Sequence, residues 1–253
     1  MPTKLAKRDW NVEPTINFKL PLLPTAEHMR EKCYTRERMQ IWKDNPEAIN
    51  MTSEIPPPVL AQLKYVLGVS NSLAIFRADP LKSREILRNA PRREEAGYQP
   101  SVDFADAYPI HMLGLSSVRA IHPLLPKDDA RSHTPGLDAL RFRANIYLTG
   151  ASAFAEDHWK QIRVGDSLYH VSCRTARCAL VNVDQKTGEA DRQEPLKTLI
   201  EHRQIDEGAR PHSCLGMQVV PLLRDPGKAE SIRVGDVVEV METGGHFYLK
   251  MFA

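Results

Sequence analysis

Apolar and polar positions alternate in short runs along most of this chain, and proline or glycine separates the runs. Ile16-Asn17-Phe18-Lys19-Leu20 alternates strictly, which predicts a strand, and Leu73-Ala74-Ile75-Phe76 predicts another. Between them, Leu60, Leu63 and Leu67 have the spacing of one helical face, so Pro58 to Leu67 reads as a short helix. Proline is dense in the first hundred residues, including the triplet Pro56-Pro57-Pro58. A residue that fixes φ and lacks an N–H marks loops and strand ends there. From Arg84 to Ser101, Pro91 and the mixed-charge run Arg92-Arg93-Glu94-Glu95 break any helical period and read as a solvated loop.

Beyond residue 101 the elements are clearer. Ser116 to Ile121 follows an apolar segment and predicts a helix with a serine N-cap, and Asn145 to Leu148 predicts a strand ending at Gly150. Ser167 to Val171 leads into a cysteine-bearing segment, and the apolar run Ala179 to Val183 follows it. Pro195 to His202 reads as a helix, while Val219 to Leu223 and Asp236 to Val240 read as late strands. Ile162-Arg163-Val164-Gly165-Asp166 and Ile232-Arg233-Val234-Gly235-Asp236 each predict a Gly-Asp turn feeding a strand. Many short strands, few helices and no βαβ rhythm imply a barrel-like β core with attached helices.

Composition narrows the functional classes. The 253 residues carry 34 Lys+Arg against 32 Asp+Glu, and 42% are hydrophobic. That apolar share supports a packed core. A balance this close to neutral gives no reason to expect a nucleic-acid partner. No run approaches the roughly 20 apolar residues of a membrane span, and the N-terminus has no apolar signal-peptide core. Four cysteines, at 33, 173, 178 and 214, are too few for a disulfide scaffold in a chain of this length. The expectation is a soluble, intracellular, cytoplasmic protein with reduced thiols.

The segment Ser172-Cys173-Arg174-Thr175-Ala176-Arg177-Cys178 carries the most chemistry. Two cysteines lie near two arginines, and a neighbouring cation favours the thiolate that ligates metals and attacks electrophiles. On one unbroken strand, Cys173 and Cys178 face opposite sides, so one functional thiol is expected rather than a pair. The alternative is a small buried core residue, since Cys178 is followed by Ala, Leu and Val. Zinc is weakly supported, because His212-Ser213-Cys214 with Cys173 and Cys178 matches no usual zinc spacing. The Walker, G-x-G-x-x-G and G-x-S-x-G motifs are all missing.

An ordered set of short motifs resembles the MOSC domain, named for the C-terminal part of molybdenum cofactor sulfurases. The set runs Phe142-Arg143-Ala144-Asn145-Ile146, Ala155-Glu156-Asp157-His158-Trp159, Val164-Gly165-Asp166 and Arg177-Cys178-Ala179-Leu180-Val181-Asn182-Val183-Asp184. Thr187-Gly188, Glu194 to Leu199, Arg203-Gln204 and Val234-Gly235-Asp236 continue it in order. The likeness is nearest to the amidoxime-reducing branch. It implies an α+β, predominantly β fold: a MOSC-type β-barrel with flanking helices over residues 101–253, preceded by a partial N-terminal MOSC-associated β-barrel domain over residues 1–100.

The resemblance also implies a molybdopterin-type molybdenum cofactor. Cys178 falls on the metal-binding, catalytic position, and Arg177 lies beside it. Arg143 and Asn145 match the F-R-x-N motif that meets the cofactor, with Ala144 in place of the usual proline. Ser117 matches the serine of the helix start and is expected to receive the phosphate. The implied activity is reduction of N-hydroxylated or other N-oxygenated substrates, with electrons from a separate donor protein of the cytochrome b5 type. The alternative is a non-catalytic carrier of the cofactor or of a persulfide. A family-level association with pyridoxal phosphate, and a mitochondrial association, come with the same likeness. Residues 1–100 resemble only the later part of their domain: the Y-P-[IV]-K-[SG]-like and D-R motifs that supply phosphate contacts have no counterpart, which implies weakened cofactor binding.

Overall fold

The computed structural model describes residues 16–126, 137–223 and 230–250, and the chain divides into two compact units between Arg84 and Glu85. This division falls earlier than the boundary expected at residue 100.

In the first unit, a short helix α1 (Ala26–Glu31) precedes an antiparallel three-stranded sheet. Its strands are β1 (Thr35–Arg38), β2 (Glu47–Asn50) and β3 (Phe76–Ala78), in that spatial order. The helix expected from the leucine spacing is α2 (Pro57–Leu67), which ends at Gly68 in the left-handed conformation. Ile16 to Leu20 forms no strand, although Ile16 and Phe18 are half-buried and Asn17 and Lys19 exposed. Alternation specifies which side chains face inward; it does not supply a neighbouring strand. The strand expected at Leu73 to Phe76 starts only at Phe76. Ile75 is held instead by Met51 N–H and by the Thr52 hydroxyl, outside any ladder.

At the division and just after it come β4 (Arg84–Glu85), a single turn α3 (Arg93–Ala96) and β5 (Ser101–Val102). The second unit is then built on β6 (Ile110–Gly114), β7 (Ile146–Leu148), β8 (Trp159–Val164), β9 (Ser167–Ala176), β10 (Cys214–Leu222) and β11 (Val238–Thr243). These strands form one curled, half-barrel sheet in the order β11-β8-β9-β10-β6-β7. Every pairing is antiparallel except the parallel β6–β7 pair. The expected fold class, α+β with a predominance of strand, is what the chain adopts. The first Gly-Asp phrase makes the β8–β9 turn, with Gly165 at φ 56°.

Both sheet faces are apolar. Met112, Ile162, Val171, Met217 and Val219 pack with Trp159 and Tyr169 on one face. Leu113 and Leu215 pack on the other against Val118 and Ile121 of helix α4 (Leu115–Ile121) and Leu199 of helix α5 (Leu196–His202). The run Ala179 to Val183 is no strand: Ala179–Asn182 coils into a 3-10 turn and buries Val181 in this second cluster. An apolar run of that length does not by itself distinguish strand from a buried turn.

The serine N-cap expected for α4 is corrected. Gly114 occupies the cap position, and no side chain caps the helix. Ser117 lies fully buried one turn in. Its hydroxyl donates to Glu156 Oε1 at 2.7 Å and accepts from Phe154 N–H at 2.8 Å. Glu156, also buried, takes Gly114 N–H at 3.0 Å with the same oxygen. A Cβ on Gly114 would lie 2.8 Å from that oxygen, so the strand-to-helix passage needs a glycine. Ser117→Ala removes a donor from a buried carboxylate and orphans Phe154 N–H. It is expected to cost about 1–3 kcal/mol of stability, readable as a lowered urea midpoint with unchanged slope.

Candidate functional site

Strand β9 carries the chain past β10 to the site. Arg177 N–H still donates to Ser213 O at 2.8 Å, which extends the ladder one residue beyond the strand end. The chain then turns at Cys178 into the 3-10 segment. Cys178 is exposed, whereas Cys173 and Cys214 are completely buried. Of the two cysteines in this segment only Cys178 meets solvent, and Cys173 belongs to the interior.

The two arginines of that segment separate in the same way. Arg174 points into the unit and pairs with Asp206 at 3.0 Å. Arg177 is 8% exposed, with no carboxylate partner among the described residues. Its Nη2 donates to Phe142 O at 2.8 Å, its guanidinium lies 5.2 Å from the Phe142 ring centroid, and its Nε has no partner. Burial, with Arg143 nearby, pulls it down to about 10.

Arg143 follows the 3-10 turn Ala139–Phe142 as its C-cap, at φ 54° and ψ 42°. A non-glycine residue in the left-handed region is uncommon. Here it leaves the side chain exposed, and Arg143 forms no ion pair among the described residues. Arg143 and Asp157 do not pair. Asp157 is buried against Arg203, whose guanidinium also lies 4.1 Å from the Phe154 ring centroid. Asn145 is exposed but braced: its Oδ1 accepts His111 N–H and its own N–H donates to His111 O, both at 2.8 Å. Its side-chain NH₂ is left to point outward.

Cys178, Arg177, Arg143 and Asn145 thus gather where β9, the turn before β7 and β6 meet. Ser117 does not join them, because its hydroxyl is spent on Glu156 and Phe154. Sequence reasoning reached neither the tie of Glu156 to the start of α4 nor the hold of His111 on Asn145. A histidine on an alternating strand carries no sequence signal of that role. Among the described residues, no group of three or more His, Cys, Asp and Glu side chains forms a metal site. A metal at Cys178 would have to bring other ligands with it.

A sequence profile of the MOSC domain matches residues 99–239. This chain belongs to the MOSC domain family. Among curated relatives, the mitochondrial amidoxime-reducing component 1 of Homo sapiens is 31% identical over 144 residues, covering 55% of this chain and 39% of that protein. The mitochondrial amidoxime reducing component 2 of Rattus norvegicus is 33% identical over 137 residues, covering 54% and 38%. The molybdenum cofactor sulfurase of Oryza sativa subsp. japonica is 30% identical over 120 residues, covering 46% and 14%. The chain spans less than two-fifths of the length of each of these relatives. No helix among its described residues is long and apolar enough to cross a membrane.

Acid sensitivity of this MOSC unit is written in its buried imidazoles. Burial, with Arg177 beside it, pushes His111 down to about 3, and burial pushes His170 down to about 4. Both are neutral in the fold, while an unfolded histidine takes up a proton near pH 6.5. Their contribution is complete above pH 6.5 and is lost as pH falls toward 4 and then 3. Unfolding free energy is expected to drop by a few kcal/mol between pH 7 and pH 4, with His170→Gln flattening part of that slope in urea titrations.

Proposed function

We propose that this chain binds a molybdopterin-type molybdenum cofactor at Cys178 and serves the reduction of N-hydroxylated or other N-oxygenated substrates. The observation that carries this reading is an exposed thiol standing beside a buried guanidinium that no carboxylate neutralises among the described residues. Buried cations are normally paired. Arg177, whose charge no carboxylate among the described residues balances, is therefore a place prepared for negative charge, and Cys178 is a soft donor suited to a sulfur-ligated metal. The names of the relatives, amidoxime-reducing components and a molybdenum cofactor sulfurase, support the same chemistry.

Within this reading each residue has one task. Cys178 supplies the protein's ligand. Arg143, exposed and without an ion-pair partner among the described residues, offers a guanidinium fork to an anionic phosphate or ring oxygen. Asn145 presents its NH₂ because Oδ1 is held by the His111 backbone. Ser117 is a positioning residue, fixing α4 through Glu156 rather than touching the cofactor. The cofactor, when bound, supplies the two-electron oxygen-atom transfer. Electrons come from a separate donor protein, of the cytochrome b5 type by resemblance, and the relatives' names support a mitochondrial association. Pyridoxal phosphate is not part of the proposal, since none of the gathered residues is a lysine.

Metal and pterin analysis of the purified full chain tests this reading, together with turnover of an N-hydroxylated amidine and an added electron donor. Stoichiometric molybdenum with turnover supports it. Protein that remains metal-free when expressed with ample cofactor overturns it. The exposed thiol beside a cation also suits a persulfide carrier. Cofactor or transferable sulfur released by reductant, without turnover, would favour that second reading.

A further inference from the structure

Six buried side-chain nitrogen and oxygen atoms lack a hydrogen-bond partner among the described residues: His111 Nε2, Arg174 Nε, Thr175 Oγ1, Arg177 Nε, Ser213 Oγ and His246 Nδ1. Native proteins leave few such groups, and ordered water commonly accounts for them. Four of the six fall on one face of the sheet. His111 of β6 and Cys173 of β9 both stand opposite Gln218 of β10, so these side chains share a face. Alternation along β9 carries that face to Thr175 and on to Arg177. Cys214 pairs with Ala176, and Arg177 N–H bonds Ser213 O, so Ser213 lies opposite Arg177 on the same side. None of the four residues is more than 8% exposed.

A bulge in β10 lies among them. Register slips between Cys214 and Met217, and Gly216 sits there at φ +79°. A Cβ at Gly216 would lie 2.4 Å from His111 Nε2 and 2.8 Å from Met112 O. The imidazole therefore reaches across β10 at the one point where a missing side chain leaves room, toward the arginine on β9. Burial first, and then the nearby Arg177 guanidinium, disfavour a charge on the ring, while backbone groups of Arg143, Leu215 and Phe142 act the other way. A neutral imidazole has one N–H and one bare nitrogen, Arg177 Nε–H only donates, and the two hydroxyls do either. That mixture of donors and acceptors is what a single water satisfies, with about three hydrogen bonds.

We propose that His111, Thr175, Arg177 and Ser213 enclose an ordered water, and that through it His111 is a positioning residue for Arg177 beside Cys178. The same residue already braces Asn145 through its backbone, at 2.8 Å in both directions. One residue of β6 thus holds two arms of the site. The inference rests on the Cys178 site being the functional one, and not on which cofactor that site takes.

The test uses the full chain purified free of cofactor, so a failure of the molybdenum reading leaves its outcome intact. In proton–nitrogen correlation spectra, Arg177→Lys identifies the Arg177 Nε–H signal. That signal is expected to be slow in exchange and to show cross-relaxation with water. His111→Leu should shift it and accelerate its exchange by about tenfold or more, as buried protection is lost. Iodoacetamide supplies the second readout, because Cys33 and Cys178 are the exposed cysteines and Cys33 serves as the internal reference. The Cys178-to-Cys33 rate ratio should change several-fold in His111→Leu and return toward wild type in His111→Gln, whose amide can bond the water. Thr175→Val, which keeps the shape and removes one hydroxyl, should move both readouts in the same direction. It carries the test if His111→Leu does not fold. An Arg177 signal without water contact, or both readouts unmoved in these variants, overturns the proposal.

Discussion

Cys178→Ala is expected to yield a folded protein that retains less than about a tenth of the molybdenum the proposed site would hold, since the proposed soft ligand is gone. The argument has two halves. The side chain is exposed, and it makes no cap bond to the 3-10 turn that follows. Losing the sulfur removes almost no packing, and stability should stay within about 0.5 kcal/mol of wild type. No second thiol of this unit can take over, because Cys173 and Cys214 are sealed in its interior and burial raises both to about 12. Cys178→Ser should fail similarly, since a hydroxyl is a hard, protonated donor. Cys173→Ala makes the opposite pair of changes: a measurable loss of stability from a small buried void, with molybdenum retained. Metal analysis beside a urea titration separates the two. Wild-type molybdenum in Cys178→Ala would sink the ligand assignment.

The largest effect on stability is expected from Asp206→Ala. Asp206 is 1% exposed and accepts from Arg174 Nη1 at 3.0 Å, Gly208 N–H at 3.1 Å and Tyr248 N–H at 2.9 Å. Arg174, itself buried, also donates to Asp157 O and His246 O, while Asp157 holds Arg203. Removing the carboxylate leaves the Arg174 charge stranded inside the protein and frees two backbone donors. Breaking a buried pair in this way costs about 3–5 kcal/mol, against a typical total of roughly 5–15 kcal/mol. The exposed Arg163–Glu239 pair is the contrast, because water screens it on both sides. Glu239→Ala should change the urea midpoint by less than about 1 kcal/mol equivalent. Similar effects from the two variants would show that the buried network contributes less than its geometry implies.

Much of the second unit was legible in the residue pattern. The helix from Leu196, the strand before Gly150 and the Gly-Asp turn of the β8–β9 hairpin appear where spacing and turn chemistry put them. Within the matched motifs, Asp184 Oδ1 accepts Lys186 and Thr187 N–H and shapes the turn that reaches Gly188. The failures share a cause. Ile16 to Leu20 has a strand's period but no partner strand. Ala179 to Val183 has a strand's composition but curls to bury Val181. Ser117 has a cap residue's chemistry, yet Glu156, far along the chain, claims its hydroxyl.

The motif residues around Cys178 and their order announced the family by themselves, because a family's motifs are a matter of which side chains stand in which order. Which thiol meets solvent, which arginine keeps its charge unneutralised, and how His111 comes to lie over Gly216 were settled only by folding. Those properties belong to pairs of residues that the chain separates and the sheet register reunites. Local sequence specifies what a residue can do; the surrounding strands determine what is left for it to do once every buried partner has been taken.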